Sequence, residues 1–309
     1  MPQSDQPSLS QISFDRRYFD GSCCRLSVVE LGSKSKPDML LVHGMRDHAL
    51  SMLSIAEHFL ADYHIYSLDL RGHGFSENTG SYPMTQFVAD IAALIKEFEL
   101  HQPVIVAHSL GGHILSRYSA IYPDQVSKLV LLDGMGPPGM GAAIPDENFR
   151  EYLQYDVESA LSLKSEGRRM ANKAEALSRL LENNPRLGHA KAELIIEYGV
   201  EAHLDGGIKW RWDPRMNMVW STFPRSEMEK IWRMITCPVL IVTGDESPEY
   251  WSLILGAEDQ DIEFYNSEMT RRIDLFKFAR HEVIKGAGHM LHYDQPASLN
   301  LAISDFLGE

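Results

Sequence analysis

The feature that most constrains the fold is a series of short apolar runs, each ending at a polar or glycine-containing turn. Such runs are typical of strands that are buried on both faces. Longer segments with helical periodicity separate several of the runs along the chain. This alternation predicts an α/β fold with a mostly parallel central sheet flanked by helices. The predicted strands are residues 39–42, 65–68, 104–107, 129–132 and 239–242.

Two segments outside the predicted strands have a clear structural interpretation. Apolar residues recur at helical spacing over residues 84–100, which predicts an amphipathic helix packed on the sheet. A closing helix is predicted over residues 299–306, after the turn at Gln295-Pro296. Both helices are expected to have a structural role.

The alternation of strands and helices stops between about Asp133 and Ile235. Helical patterns follow one another there with no convincing strand among them, and we interpret the interval as an inserted helical cap. The predicted cap helices are residues 147–164, 166–182 and 191–198. The predicted domains are a core over residues 1–136 and 236–309 and a cap over residues 137–235.

Charge and cysteine content exclude several classes of partner. The formal net charge is -14, whereas nucleic acids and anionic lipid surfaces attract clustered Lys and Arg. Cys23, Cys24 and Cys237 have no spacing typical of a disulfide framework or a zinc site. The sequence shows neither a signal-like start nor a run of roughly 18 apolar residues. We therefore expect a cytoplasmic protein that binds no nucleic acid or metal and does not span a membrane.

The strongest local signal for chemistry is a serine at the turn between an apolar run and a helical segment. Ser109 follows the strand predicted over 104–107, and Gly111 and Gly112 come after it. This order matches the nucleophile elbow, in which a strained turn presents the serine and small residues let strand and helix approach closely. Ala107 occupies a position where glycine is usual. A serine here could also be an ordinary helix N-cap.

A second predicted strand ends in the turn His43-Gly44-Met45. Acyl transfer needs two backbone N–H groups that face the developing oxyanion. The elbow would supply one from Leu110, and the turn after His43-Gly44 would supply the other from Met45. We therefore predict an oxyanion hole formed by Met45 and Leu110. Considered alone, the His-Gly pair indicates no more than a turn.

Near the C-terminus, an apolar strand ends in the sequence Gly286-Ala287-Gly288-His289. A catalytic base must come within hydrogen-bonding distance of the serine hydroxyl, and a neutral imidazole near pH 7 suits this task. The flexible approach to His289 makes it the predicted base. His292 is the nearby competitor.

These segments together resemble the α/β-hydrolase superfamily over nearly the whole chain. The elbow at Ser109, the His43-Gly44 turn, residues 69–76 and the loop at His289 occur in the order found in that superfamily. We give residues 69–76, which contain two glycines, a structural role. The sequence around 210–215 further resembles the serine-hydrolase-like branch. The resemblance implies the α/β-hydrolase fold and a catalytic triad.

The resemblance leaves the acid of the triad to be located. Members commonly place it three residues after a glycine that closes a late strand, and here Ser247 stands at that distance from Gly244. Some relatives instead take the acid from the end of the strand after the elbow helix, where this chain has Asp133. We predict that Asp133 orients the imidazole. Asp245 and Glu246 are the alternatives.

The implied activity is hydrolysis of a carboxylic ester through an acyl-enzyme, without a metal or organic cofactor. The expected partner is a small acyl substrate. The same residues suit the cleavage of thioesters, amides, lactones and carbon–carbon bonds. Carbon–carbon cleavage needs a group that stabilises a carbanion, and Arg46 is the candidate. An aspartate nucleophile would indicate epoxide hydrolysis or dehalogenation, which Ser109 disfavours. A function of another class, that of a binding receptor without turnover, also stays open. It is favoured by Ser247, which stands where members of the superfamily commonly have the acid.

Two groups of residues are candidates for contact with substrate. One lies beside the elbow, and the other consists of large apolar side chains in the predicted cap, which either line an acyl pocket or form the core of the cap. The candidates are His43, Gly44 and His108 beside the elbow, and Trp210, Trp212, Met216, Met218 and Trp220 in the cap.

Overall fold

A central sheet organises the chain, whose computed structural model describes residues 13–137, 145–220, 227–255 and 262–309. The strands are β1 (Asp15–Asp20), β2 (Arg25–Leu31), β3 (Asp38–Val42), β4 (His64–Asp69), β5 (Val104–His108), β6 (Lys128–Leu132), β7 (Val200–Ala202), β8 (Ile208–Trp210), β9 (Val239–Gly244) and β10 (Ala279–Ile284). Eight of them form one sheet in the order β1-β2-β4-β3-β5-β6-β9-β10. β2 is antiparallel to both its neighbours, and every pair from β4 to β10 is parallel.

The five predicted strands are confirmed and lie side by side as β4, β3, β5, β6 and β9. Within β3, Leu40 and Val42 face one hydrophobic cluster, whereas Met39 and Leu41 face another on the opposite side of the sheet. All four side chains are fully buried, which explains why the run is continuously apolar rather than alternating. The turns that follow these parallel strands therefore meet at one edge of the sheet.

Helices cover both faces of the sheet and occupy the interval between β6 and β9. They are α1 (Leu53–Phe59), α2 (Met84–Glu97), α3 (Leu110–Ile121), α4 (Asp146–Ser162), α5 (Lys173–Asn183), α6 (His189–Gly199), α7 (Met228–Met234), α8 (Ser247–Leu255), α9 (Ile262–Ile273), α10 (Leu291–Asp294) and α11 (Pro296–Leu307). The helices predicted over 84–100 and 299–306 correspond to α2 and α11. The second begins at Pro296, whose fixed φ suits the first turn of a helix.

The interval between β6 and β9 contains strands as well as helices, so the prediction of helices alone was wrong. β7 and β8 form an antiparallel hairpin. Its turn contains Asp205 and two glycines with positive φ, Gly206 and Gly207, which is a hairpin signal in the sequence. α5 also begins at Lys173, because Met170 pairs with Ile208 and extends the hairpin. The domain boundaries at residues 136 and 236 remain a prediction.

None of the described helices is long and apolar enough to cross a membrane.

Candidate active site

Ser109 occupies a strained turn between β5 and α3. Its φ is 49° and its ψ is -115°, a backbone conformation that residues other than glycine rarely adopt. The N–H of Ser109 donates to the carbonyl of Leu132 at 3.0 Å, which continues the pairing of β5 with β6 into the turn. The Ser109 side chain makes no capping hydrogen bond to α3. Its hydroxyl is therefore free for another partner, unlike that of an ordinary N-cap.

Two glycines let α3 approach the carboxyl edge of the sheet. A Cβ at Gly111 would lie 2.7 Å from the carbonyl oxygen of Val42, and a Cβ at Gly112 would lie 2.7 Å from the Cα of Gly134. Real Cβ atoms essentially never come this close to backbone. The elbow therefore packs against the ends of both β3 and β6, and the turn at Gly134 also carries Asp133.

Ser109, His289 and Asp133 form a continuous series of hydrogen bonds. The Nε2 of His289 lies 3.0 Å from the Oγ of Ser109, and its Nδ1 lies 2.6 Å from the Oδ2 of Asp133. Asp133 also has a positive φ of 44°, and its N–H donates to the carbonyl of Val242 at 2.8 Å. The imidazole and the carboxylate are buried, whereas Ser109 is half-buried. The arrangement matches a nucleophile, a base and an orienting acid.

The polar side chains after β9 have other partners. The Oδ1 of Asp245 accepts the N–H of Gly286 at 2.8 Å, and Glu246 pairs with Arg186. The Oγ of Ser247 accepts the N–H of Gly244 at 3.0 Å. The structure therefore brings the carboxylate of Asp133, and neither alternative, into hydrogen bonding with the imidazole.

Three aromatic side chains pack against the His289 ring. Tyr250 stacks on it with a centroid separation of 4.0 Å and an interplanar angle of 5°. Trp251 and His108 lie 4.9 Å and 4.8 Å away. Sequence analysis missed Tyr250 and Trp251, because they follow Ser247 on α8 and no motif marks them. The packing restricts the orientation of the imidazole.

His108 supports the loop that carries His289. Its Nε2 donates to the backbone carbonyl of His289 at 2.9 Å. Burial, together with the neighbouring His292 and His289, lowers the pKa of His108 well below its usual value, so its ring is neutral. His108 is buried, and this bond occupies its donor nitrogen. The structure thus shows His108 in contact with the loop of His289, and its role as a substrate contact stays a prediction.

His292 lies behind the site. It is fully buried, its ring centroid is 4.7 Å from that of His108, and its Nε2 lies 3.6 Å from the Oδ2 of Asp47. Burial lowers the pKa of His292. The hydroxyl of Ser109 faces His289 instead, so the competitor does not take the position of the base.

The turn after β3 lies directly against the elbow. A Cβ on Gly44 would stand 3.0 Å from the Cβ of Ser109 and 2.6 Å from the Nδ1 of His108. His43 accepts the N–H of Leu70 through Nε2 at 3.1 Å, so its neutral ring carries the proton on Nδ1. That proton is donated to the carbonyl of Gly44 at 2.6 Å.

His43 thereby orients the peptide that links Gly44 to Met45. In a trans peptide the N–H and C=O groups point in opposite directions, so fixing the carbonyl of Gly44 also fixes the N–H of Met45. Burial lowers the pKa of His43, which preserves this neutral state. His43 is fully buried and both its ring nitrogens bond to backbone, whereas its role as a substrate contact stays a prediction.

Residues 69–76 also make hydrogen bonds to the segment that follows β3. His73 accepts the N–H of Arg46 through Nε2 at 3.0 Å and donates from Nδ1 to the carbonyl of Arg71 at 3.1 Å. Burial lowers the pKa of His73 to about 3. Asp69 accepts the N–H of Ala49 at 2.8 Å. These contacts are structural, as expected for the segment.

The large apolar residues predicted in the cap have different surroundings. Met216 is fully buried in the main core, and Trp220 packs against the same cluster. Trp210 packs against the small cluster formed around Met170 and Ile196. The remaining candidates, Trp212 and Met218, are partly buried. Trp212 forms an antiparallel β-bridge with His73, whose ring contacts the turn after β3.

Comparisons with known proteins identify the family of the chain. The model of the alpha/beta hydrolase family matches residues 39–300. A serine hydrolase-like protein of Mus musculus is 28% identical over 198 residues, which cover 62% of this chain and 63% of the mouse protein. The alignment thus spans less than two thirds of that relative. The esterase YbfF of Escherichia coli is 24% identical over 88% of this chain and 93% of its own length.

Among solved structures, the thioesterase domain from the curacin biosynthetic pathway has a similar fold, with a TM-score of 0.79. It is 22% identical, and the match covers 94% of this chain and 99% of that domain. The family and the names of the relatives support hydrolase activity. The chain belongs to the alpha/beta hydrolase family.

Proposed function

We propose that the chain is a serine hydrolase that cleaves carboxylic esters of small acyl substrates through an acyl-enzyme. One observation carries the proposal: His289 lies between the Ser109 hydroxyl at 3.0 Å and the Asp133 carboxylate at 2.6 Å. A buried acid that contacts the imidazole also removes the argument for a receptor without turnover, which depended on the serine at position 247.

In the first half of the proposed reaction, the Oγ of Ser109 attacks the ester carbonyl while the Nε2 of His289 takes the hydroxyl proton. Asp133 accepts the Nδ1–H bond and stabilises the imidazolium without itself being protonated. The N–H groups of Met45 and Leu110 stabilise the oxyanion. When the tetrahedral intermediate collapses, the imidazolium returns the proton to the departing alkoxide, which leaves as an alcohol.

In the second half, water attacks the acyl-enzyme carbonyl and His289 takes its proton. The new intermediate collapses, the acid product leaves, and the Oγ of Ser109 regains a proton from the imidazolium. Neither half of the proposed reaction requires a metal or an organic cofactor. Thioesters, lactones and carbon–carbon bonds remain alternatives on the same residues.

The proposal is tested with a fluorophosphonate probe, which phosphonylates an activated serine and releases fluoride. The wild-type protein should be labelled, and Ser109→Ala should not be. Ser116→Ala is the matched control, because it removes a hydroxyl from the same helix, α3. Failure of the folded wild type to react, or persistent labelling of Ser109→Ala, would contradict the proposal.

The substrate class is tested in parallel. Wild-type protein is assayed with p-nitrophenyl esters of graded acyl length, with acyl-CoA thioesters and with lactones. The proposal expects the highest kcat/KM for an ester. A higher value for a thioester or a lactone would replace the ester assignment and leave the serine mechanism in place.

A further inference from the structure

Three residues in the candidate active site share an unusual backbone conformation. Ser109 and Asp133 have positive φ, and Arg46 has a φ of 62°. Strained residues of this kind persist where the surrounding structure holds them, and they cluster at functional sites. Two of the three have an assigned role in the proposed reaction. The third, Arg46, has none.

The surroundings hold the backbone of Arg46 and leave its side chain exposed. The N–H of Arg46 donates to the buried ring of His73, which fixes the strained conformation. The guanidinium lies over the indole of Trp212, with 5.2 Å between Cζ and the ring centroid. Its Nη2 donates to the Oδ1 of Asn217 at 3.1 Å. Both partners are uncharged.

Among the residues that the structure describes, no carboxylate neutralises the charge of Arg46, in contrast to that of nearby arginines. Arg211 pairs with Glu201, and Arg215 pairs with Asp213. Within the part of the chain that the structure describes, no carboxylate lies within 4.0 Å of the Arg46 guanidinium. An unpaired cation is notable in a chain whose net charge is -14.

Arg46 is also close to the reacting groups. It follows Met45, the proposed oxyanion donor, in the chain. Burial raises the pKa of Tyr250, and the positive charge of Arg46 acts against that rise. Because Tyr250 stacks on His289 at 4.0 Å, the charge of the guanidinium acts on a ring that contacts the imidazole.

We propose that Arg46, with Asn217 and Trp212 beside it, forms an anion-binding subsite, and that the ester substrate carries a free carboxylate. This inference rests on the proposed function of Ser109 and names its substrate class. The planar guanidinium presents parallel donors to a carboxylate, and the amide N–H₂ of Asn217 can donate to the same group. A single cation suits a monoanion better than a phosphate dianion.

The test compares two esters that differ only at the end of the acyl chain. p-Nitrophenyl hemiadipate ends in a carboxylate, and p-nitrophenyl hexanoate ends in a methyl group. The wild type should have a higher kcat/KM for the hemiadipate. Arg46→Gln should lower this preference roughly tenfold or more, mainly through KM, because charge-assisted hydrogen bonds to the substrate are lost. Arg46→Lys should restore part of it.

Arg25→Gln is the matched control. Arg25 is exposed and lies over the ring of Tyr18 at 4.4 Å, so the variant removes a comparable charge on β2. It should keep the wild-type preference. Equal loss of preference in both variants, or no preference in the wild type, would overturn the subsite. A stronger preference for the ester with a terminal phosphonate would overturn the carboxylate assignment.

A binding measurement separates this inference from the proposed function. Monomethyl adipate is titrated calorimetrically into Ser109→Ala and into Ser109→Ala with Arg46→Gln. The double variant should bind roughly tenfold more weakly. If no ester is hydrolysed but binding depends on Arg46, the ester mechanism fails and the subsite stands. Equal affinity in the two proteins would rule out the subsite.

Discussion

His289 and His73 are both buried histidines, but they face opposite kinds of partner. His289 faces the carboxylate of Asp133 through Nδ1 and the hydroxyl of Ser109 through Nε2, so one nitrogen can donate a hydrogen bond while the other accepts one. His73 accepts a backbone N–H from Arg46, which leaves no room for a second proton. Because both rings are buried, their hydrogen-bond partners are what distinguishes a candidate base from a histidine that holds the backbone.

The largest expected effect comes from removing the acid beside His289. Asp133→Asn should lower kcat by about 10³ to 10⁴, because the amide no longer stabilises the imidazolium and favours the wrong tautomer. Steady-state kinetics with a p-nitrophenyl ester give the value. Glu246→Gln is the control, since this carboxylate pairs with Arg186. A loss of turnover in Glu246→Gln but not in Asp133→Asn would instead place the acid in the turn after β9.

The second prediction concerns the other histidine. His73→Phe leaves the N–H of Arg46 and the carbonyl of Arg71 without their partner, which should cost about 1–3 kcal/mol of the free energy of unfolding. Urea denaturation at pH 7 measures it. Turnover should also fall, because the turn that carries Met45 loosens. A variant as stable and active as the wild type would show that His73 does not support this turn.

The same variant has a signature in the pH dependence of stability. The pKa of His73 is about 3 in the folded protein, below an ordinary value of 6.5, so between these pH values the unfolded chain binds more protons. The free energy of unfolding therefore falls as the pH falls from 6.5 towards 3. One proton contributes about 1.4 kcal/mol per pH unit. His73→Phe should lack this contribution to the pH dependence of the free energy of unfolding. An unchanged pH dependence would contradict the low pKa of His73.

The smallest expected effect concerns the aromatic face of the His289 ring. Tyr250→Leu removes the stacked ring, which should lower kcat/KM roughly tenfold by leaving the imidazolium less stabilised. Steady-state kinetics with a p-nitrophenyl ester give the value. Tyr250→Phe keeps the ring and should keep the wild-type kcat/KM. If both variants lose activity equally, the hydroxyl rather than the stack is responsible.

Much of the fold and part of the candidate site could be predicted from neighbouring residues. The apolar runs located the five central strands, and the glycines after Ser109 indicated the elbow. The β7–β8 hairpin was missed although Asp205 and its two glycines marked a turn, because its strands are only three residues long. The hydrogen bonds of His43 and His108 were also missed, since their partners are backbone groups that no motif names.

By itself, the sequence determined the central strands, the serine turn and a small set of candidate acids and bases, because periodicity and turn chemistry act between near neighbours. Only the tertiary structure decided which carboxylate meets which imidazole. Ser109 and His289 are 180 positions apart, and packing at the sheet edge sets the distance between them. The sequence singled out Arg46, but only the tertiary structure placed its guanidinium beside Trp212 and Asn217.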